Sequence, residues 1–166
     1  MDIRPVRLED AAGISRIRRE DGVREEVFAL SSERLSVTLD FLNSLTNEDR
    51  VFVAVENNEP VGMAALLKNR CHKRNHCGSV TTMVDKDFQG RGIGKALMTR
   101  IIDEADNALK LRRVELLVLT DNVPAIQLYK KFGFKIEATR KRAAVKDGKF
   151  VDEYFLSRIN RKGDQR

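Results

Sequence analysis

Hydrophobic and polar positions along the chain follow two periods. Apolar runs rich in β-branched residues favour about seven strands, and apolar residues three or four positions apart predict four helices. The predicted strands cover residues 2–7, 50–56, 61–68, 76–84, 114–119, 134–143 and 150–159. The predicted helices cover residues 8–19, a segment after Ser31 and Ser32 that carries Leu35, Leu39, Leu42 and Leu45, residues 93–109, and a segment from Asn122 to a C-cap at Gly133.

Finer features of the pattern place individual residues. In the first helix the spacing turns Leu8, Ala11, Ala12, Ile14 and Ile17 inward, and Ser31 or Ser32 is expected to cap the second helix. Pro5 restricts its strand to a sheet edge, because proline has no N–H for a neighbouring strand. The nearly continuous apolar run at residues 114–119 is typical of a central strand.

The order of the elements predicts the fold class. Hairpin-like strands come first, and a strand–helix–strand–helix–strand unit follows. This order predicts an α/β (α+β) fold, namely a mixed sheet with helices on both faces. At 166 residues the chain is expected to form one domain over residues 1–166, with residues 160–166 as a flexible tail.

Composition limits the partners. The chain contains no apolar run near the roughly 20 residues that span a bilayer, and residues 1–12 lack a signal-peptide core. We therefore expect a cytoplasmic protein without a membrane partner. The net charge of +6 favours an anionic ligand, but the basic residues are dispersed and form no nucleic-acid motif, so no nucleic acid is expected.

Two cysteines and two histidines fall within one short segment. Cys71, His72, His76 and Cys77 lie within seven residues, whereas zinc sites usually take ligand pairs from two separated segments. No metal is therefore expected. A cytoplasmic setting favours free thiols at both cysteines.

A glycine-rich stretch lies between the predicted strand at residues 76–84 and the predicted helix at residues 93–109. Glycines at 90, 92 and 94 precede the apolar helical pattern, and Arg91 and Lys95 add positive charge. Helix N-terminal amides lack intrahelical partners, and glycines let phosphate oxygens approach the backbone, so the stretch predicts a diphosphate site. Neither a Walker loop nor a dinucleotide fingerprint fits, because Ala96 follows Gly94-Lys95 and no third glycine is correctly spaced.

The remaining pattern, Gln-x-x-Gly-x-Gly at Gln89, Gly92 and Gly94, resembles the acetyl-CoA pyrophosphate loop of the GNAT N-acyltransferase superfamily. A second segment, residues 121–134, follows one helix and one strand later. Its Asn122, Ala125, Tyr129 and Gly133-Phe134 are similar to the GNAT motif in which an asparagine and a tyrosine line the CoA site. Residues 147–158 further resemble the small-molecule branch, which includes phosphinothricin and L-amino-acid N-acetyltransferases.

This resemblance implies a GNAT fold with a splayed central strand pair and acetyl-CoA as the acyl donor. The acetyl group would pass to the primary amine of a small molecule, such as an amino acid, by direct attack in a ternary complex. Tyr129 would act as general acid toward the CoA sulfur. Because relatives are often dimers, the resemblance also implies a possible homodimer. The implied cofactor-binding residues are Met83, Val84, Gln89, Gly90, Arg91, Gly92, Ile93, Gly94, Lys95, Asn122, Ala125 and Tyr129.

One position departs from the family pattern. Many relatives carry a carboxylate five residues before the position of Val84, where this chain has Ser79. The resemblance therefore does not identify the residue that acts as general base. His76, a water held by Ser79, or an acid such as Glu153 or Glu26 are the candidates. Three other functions stay open: a protein N-terminal or lysine acetyltransferase, a non-catalytic CoA-binding module, and a basic protein that binds nucleic acid.

Overall fold

The computed structural model describes residues 1–161, and within this range the chain forms seven strands and five α-helices. The strands are β1 (Asp2–Pro5), β2 (Arg50–Glu56), β3 (Glu59–Lys68), β4 (Cys77–Val84), β5 (Arg113–Leu119), β6 (Lys135–Lys146) and β7 (Lys149–Ile159). The helices are α1 (Ala11–Arg19), α2 (Arg24–Val27), α3 (Leu35–Ser44), α4 (Ile93–Asp103) and α5 (Val123–Lys131).

The strands form one mixed sheet in the order β1-β2-β3-β4-β5-β7-β6. The ladders β1–β2, β2–β3, β5–β7 and β7–β6 are antiparallel, and β4 runs parallel to β5 from Cys77↔Arg113 to Ser79↔Glu115. Pro5 lies on the edge strand, as predicted, and β5 is an interior strand. The predicted mixed seven-stranded sheet is therefore confirmed.

Contacts divide the chain into two compact units. The first unit comprises Met1–Leu66 and Thr81–Ile101. Its core is apolar and draws on α1, α3 and the strands β2 to β4. Asp10 of this unit is also buried. It accepts two bonds from the Arg4 guanidinium at 2.9 and 2.8 Å and one from the Arg7 amide at 2.7 Å.

The second unit comprises Leu67–Val80 and the chain from Ile102 on. Val114, Leu116 and Val118 are buried at alternate positions of β5, as expected for one covered face. Arg158 of β7 donates two bonds to Asp106, at 2.7 and 2.8 Å, and this bidentate pair fixes the π-helical turn Glu104–Ala108 that extends α4.

Two predictions for the helical segments are wrong. The second predicted helix begins at Leu35 with Arg34 at its N-cap, whereas Ser31 and Ser32 lie in a turn before it. Leu8 and Ala12, predicted to point inward, are exposed. A 3₁₀ turn at Leu8–Asp10 precedes α1, and the change of helical geometry there shifts Leu8 off the buried face.

The final hairpin also differs in detail from the prediction. Its turn is at Asp147-Gly148, as predicted, but β6 runs to Lys146 and contains two register irregularities. Phe132 rather than Gly133 is the C-cap of α5, and Gly133 follows in the left-handed region with φ 86°. Of the predicted tail, residues 162–166 lie outside the described residues. Within residues 1–161 no helix is long and apolar enough to cross a membrane.

Candidate functional site

The glycine stretch forms an open loop between β4 and α4. After β4, a 3₁₀ turn at Lys86–Phe88 leads into Gly90 and Gly92, which adopt φ values of 76° and 82°. A Cβ atom at either glycine would meet no heavy atom within 4 Å, so the backbone there is open to a ligand. The Ala96 amide makes the first α4 bond, to the Gly92 carbonyl at 3.0 Å, which leaves the amides of the first turn directed out of the helix.

The side chains of the loop support its backbone. The Gln89 amide nitrogen donates to the Val84 carbonyl at 3.2 Å, and Arg91 donates to the Asp87 carbonyl at 3.2 Å while its guanidinium lies 4.7 Å from the Phe88 ring centre. Arg91 and Lys95 are exposed. The loop therefore combines free backbone donors with two positive charges, which suits a diphosphate.

Close packing beneath the loop fixes the position of α4. A Cβ atom at Gly62 of β3 would lie 3.1 Å from the Met83 carbonyl oxygen and 3.2 Å from side-chain carbons of Ile93 and Leu97. Only a glycine lets the strand and the helix approach so closely. Ile93 is buried, so it offers a ligand its backbone rather than its side chain.

The end of β4 turns successive backbone groups toward opposite edges of the strand. The Asp85 amide donates to the Val61 carbonyl of β3 at 2.9 Å. Because consecutive residues of a strand alternate between its two edges, the Val84 amide is turned away from β3 and the Met83 amide toward it. The two backbone amides therefore face opposite edges of β4, and pantetheine binding by Met83 and Val84 stays a prediction.

An ion-pair cluster ties the start of the loop to α1. The Arg16 guanidinium donates to the Asp85 carboxylate at 2.7 Å and to the Pro60 carbonyl at 3.1 Å. Asp85, almost fully buried, also accepts the Asp87 amide at 3.0 Å, which caps the 3₁₀ turn. Glu20 of the segment after α1 accepts the Lys86 amide at 3.2 Å and a short bond from Arg16.

Sequence reasoning missed this cluster. Asp85-Lys86-Asp87 carries a local capping signal, because an aspartate before a turn accepts a nearby amide. Arg16 is 69 positions away, and no local pattern connects it to the loop.

The second predicted motif lies in the second unit. The Asn122 side-chain oxygen accepts the Ala125 amide at 3.2 Å, which makes Asn122 the N-cap of α5. Tyr129 is 6% exposed, and its ring packs against Phe134 with centroids 5.9 Å apart. Capping and packing therefore explain the local structure of this motif, and the cofactor and acid roles of its residues stay predictions.

The candidate bases occupy different places. His76 precedes β4 at the end opposite the loop and is exposed, with its carbonyl accepting the Arg112 amide at 2.9 Å. Ser79 is exposed and lies opposite Glu115 of β5. Glu153 is 3% exposed and pairs with Arg140 at 3.0 Å, and Glu26 is partly buried in α2.

The cysteine–histidine segment gives no sign of metal chemistry. Cys71 is exposed and Cys77 buried, and both are free thiols. Burial raises the pKa of the Cys77 thiol, which makes it unreactive. Among the described residues, no group of three or more histidine, cysteine, aspartate or glutamate side chains could hold a metal ion.

The structure thus brings part of the predicted site together. Met83, Val84 and the loop residues 89–95 form one continuous strand–loop–helix segment of the first unit. Asn122, Ala125 and Tyr129 share α5 or its cap in the second unit, which also holds His76 and Ser79.

Comparison with known proteins identifies the class to which this fold and loop belong. The model of the acetyltransferase (GNAT) family matches residues 16–134, and the chain belongs to that family. It is 38% identical over 107 residues to the L-amino acid N-acetyltransferase AaaT of Escherichia coli strain K12. That match covers 64% of this chain and 66% of AaaT, so the chain spans just under two thirds of this relative's length.

Two further proteins are similar over more of the chain. The spermidine N(1)-acetyltransferase of Escherichia coli strain K12 is 23% identical over 158 residues, which cover 93% of this chain and 78% of that protein. A putative acetyltransferase from Salmonella typhimurium, solved with its cofactor acetyl-CoA, superimposes with a TM-score of 0.86 at 22% identity. That superposition covers 96% of this chain and 93% of the other, and it shows that the two share a fold.

Proposed function

We propose that this protein transfers the acetyl group of acetyl-CoA to the primary amine of a small molecule. The observation that carries the proposal is the open glycine loop, where two glycines at positive φ expose backbone amides at the start of α4. Membership of the GNAT family supports the same function. The names of two relatives, an L-amino acid and a spermidine N-acetyltransferase, favour a small amine over a protein acceptor.

The residues of the first unit would hold the acyl donor. Amides of the loop from Gly90 to Lys95 would bind the diphosphate, Arg91 and Lys95 would add charge, and the Val84 amide would bind the pantetheine arm. Acetyl-CoA supplies an activated thioester, whose carbonyl carbon a neutral amine attacks directly, with the CoA thiolate as leaving group. Because a free alkylamine has a pKa of about 10, a base must first remove its proton.

We assign Tyr129 the role of general acid toward the departing sulfur. A general acid contributes roughly 10² to 10⁴ in rate. We therefore expect Tyr129→Phe to lower kcat by about 10²-fold or more while KM for acetyl-CoA changes little. Retention of full activity in Tyr129→Phe would remove the tyrosine from the mechanism but leave the acetyl transfer itself intact.

The direct test is thiol release from acetyl-CoA in the presence of a panel of small primary amines, polyamines and peptides. The proposal expects turnover with at least one small amine and none with peptides. Tight binding of acetyl-CoA without turnover on any amine would instead identify a CoA-binding module, consistent with Ser79 at the position of the usual carboxylate. The cytoplasmic location and the homodimer stay predictions.

A further inference from the structure

The interior strand β5 leaves one of its faces open. Leu117 is 45% exposed, and its register partner is Phe155 of β7. The adjacent Leu116 and Val118, which point to the opposite face, are buried. The β4–β5 ladder ends at Ser79↔Glu115, so Leu117 lies beyond it and its side chain is accessible to a ligand.

The strand register shows which residues share this face with Leu117. Phe155 of β7 lies directly opposite Leu117, and Glu153 lies opposite Leu119. On the far side of β7, Arg140 of β6 is the partner of Glu153. Directly opposite residues project to the same side of a sheet, so Leu117, Phe155, Glu153 and Arg140 form one surface, here called the open face.

Charge on the open face is arranged around a buried carboxylate. The Glu153 side chain is 3% exposed and lies 3.0 Å from an Arg140 guanidinium nitrogen, whereas the Arg140 side chain is 54% exposed. A guanidinium has five N–H donors in a planar fork, so the pair with Glu153 orients Arg140 and leaves further donors toward solvent. A carboxylate is the group that such a fork binds best.

The backbone next to Arg140 is built to redirect the strand. Three residues, 141–143, stand against the single residue Asp152, and Arg142 has a φ of 50°. The Asp152 carboxylate accepts the Arg142 amide at 2.8 Å and the Lys141 ammonium at 2.9 Å, which holds the bulge. Bulges often occur beside functional sites, where they re-aim side chains.

The open face extends to the carboxyl end of β5. Leu119 is at the carboxyl end of β5, three residues before the N-cap Asn122, and Glu153 of β7 lies opposite it. Ligands of open α/β sheets bind outside the carboxyl ends of strands. Other charges on this surface are already neutralised, because Arg113 pairs with Glu115 at 2.8 Å and with Glu137 at 2.7 Å.

We propose that the open face is the acceptor subsite and that it takes a carboxylate-bearing amine with an apolar side chain, which is the chemistry of an apolar α-amino acid. Arg140 binds the acceptor carboxylate, and Leu117 and Phe155 contact its side chain. Glu153 is a positioning residue that orients Arg140. Polyamines fit poorly, because their cationic chains would meet Arg140. This inference rests on the proposed acetyl transfer and specifies its acceptor.

The test compares L-leucine with L-leucinamide, which differ in the carboxylate, and with spermidine. Wild-type kcat/KM is expected to be at least tenfold higher for leucine than for either amine. Arg140→Gln is expected to lower kcat/KM for leucine at least tenfold, to change that for leucinamide less than twofold, and to leave KM for acetyl-CoA unchanged. Arg140→Lys is expected to restore part of the leucine activity. The control Lys149→Gln removes one exposed charge from the same hairpin, and no loss is expected.

A second variant keeps the inference testable if Arg140→Gln does not fold. Leu117→Gln is expected to lower kcat/KM at least fivefold for leucine but less than twofold for glycine, which has no side chain to contact it. A wild-type preference for leucinamide or spermidine, or an unchanged leucine-to-leucinamide ratio in Arg140→Gln, overturns the subsite. Absence of acetyl-CoA binding to the wild type would instead overturn the proposed function itself.

Discussion

Removal of the Arg16 guanidinium should weaken diphosphate binding without changing the rest of the site. In Arg16→Gln the Asp85 carboxylate, 5% exposed, loses its charged partner at 2.7 Å at the point where the glycine loop begins. A hydrogen bond to a charged group contributes roughly 1.5–3 kcal/mol. Because the Arg16 side chain is 46% exposed, the lower end of that range, about 1.5 kcal/mol, is the most that the loop can lose, which limits the weakening of the Kd for CoA to about tenfold.

Isothermal titration calorimetry with CoA measures the Kd, and kinetics with S-acetylpantetheine measure activity without the diphosphate. Together they distinguish an effect on diphosphate binding from a general loss of activity in Arg16→Gln. S-acetylpantetheine carries the thioester but no diphosphate, so its kcat/KM should change less than twofold in Arg16→Gln. Arg19→Gln is the matched control, because Arg19 lies on the same helix and, within residues 1–161, its side chain donates to the Ser15 carbonyl alone, at 3.1 Å. Equal losses with both thioesters, or an unchanged Kd for CoA, would refute the reasoning.

Two further predictions concern stability. The Arg113 guanidinium and the Ser157 hydroxyl lower the pKa of Glu137 from 4.5 to about 2. This carboxylate therefore stabilises the fold above about pH 4.5, and its contribution is lost as the pH falls through about 2, so the difference in Tm between wild type and Glu137→Gln should close over that interval. A difference that is constant with pH would contradict the ion pair. Separately, the buried Thr38 hydroxyl has no hydrogen-bond partner within the described chain. Thr38→Val should raise the free energy of unfolding by about 1 kcal/mol in urea denaturation, and a loss of stability would show that the hydroxyl is satisfied.

Local patterns predicted most of the elements of this fold. The glycine loop and the helix α4 that follows it could be predicted from the sequence, because positive φ values and amphipathic spacing depend on neighbouring residues. The prediction that Ser31 or Ser32 caps α3 was wrong, because α3 begins at Leu35. A serine favours an N-cap position only as a local preference. The three-residue bulge against Asp152 has no local signature of comparable strength.

The parts of the site that the sequence did not reveal depend on long-range contacts. Arg16 and Asp85 are 69 positions apart, and Arg140 meets Glu153 only through the pairing of β6 with β7. The exposure of Leu117 could not be predicted either, because an apolar run has the same sequence pattern whether one face of its strand is covered or exposed to solvent.

Calorimetric titration of CoA into wild type, Gly92→Val and Gly22→Val tests the central claim most directly. Both glycines have positive φ, 82° and 87°, and a Cβ at either meets nothing within 4 Å, so the two substitutions impose similar backbone strain, one in the loop and one in the segment after α1. The account predicts that CoA binds wild type and Gly22→Val with the same Kd and that Gly92→Val weakens binding at least tenfold. No heat with wild type, or equal affinities for all three proteins, would contradict it.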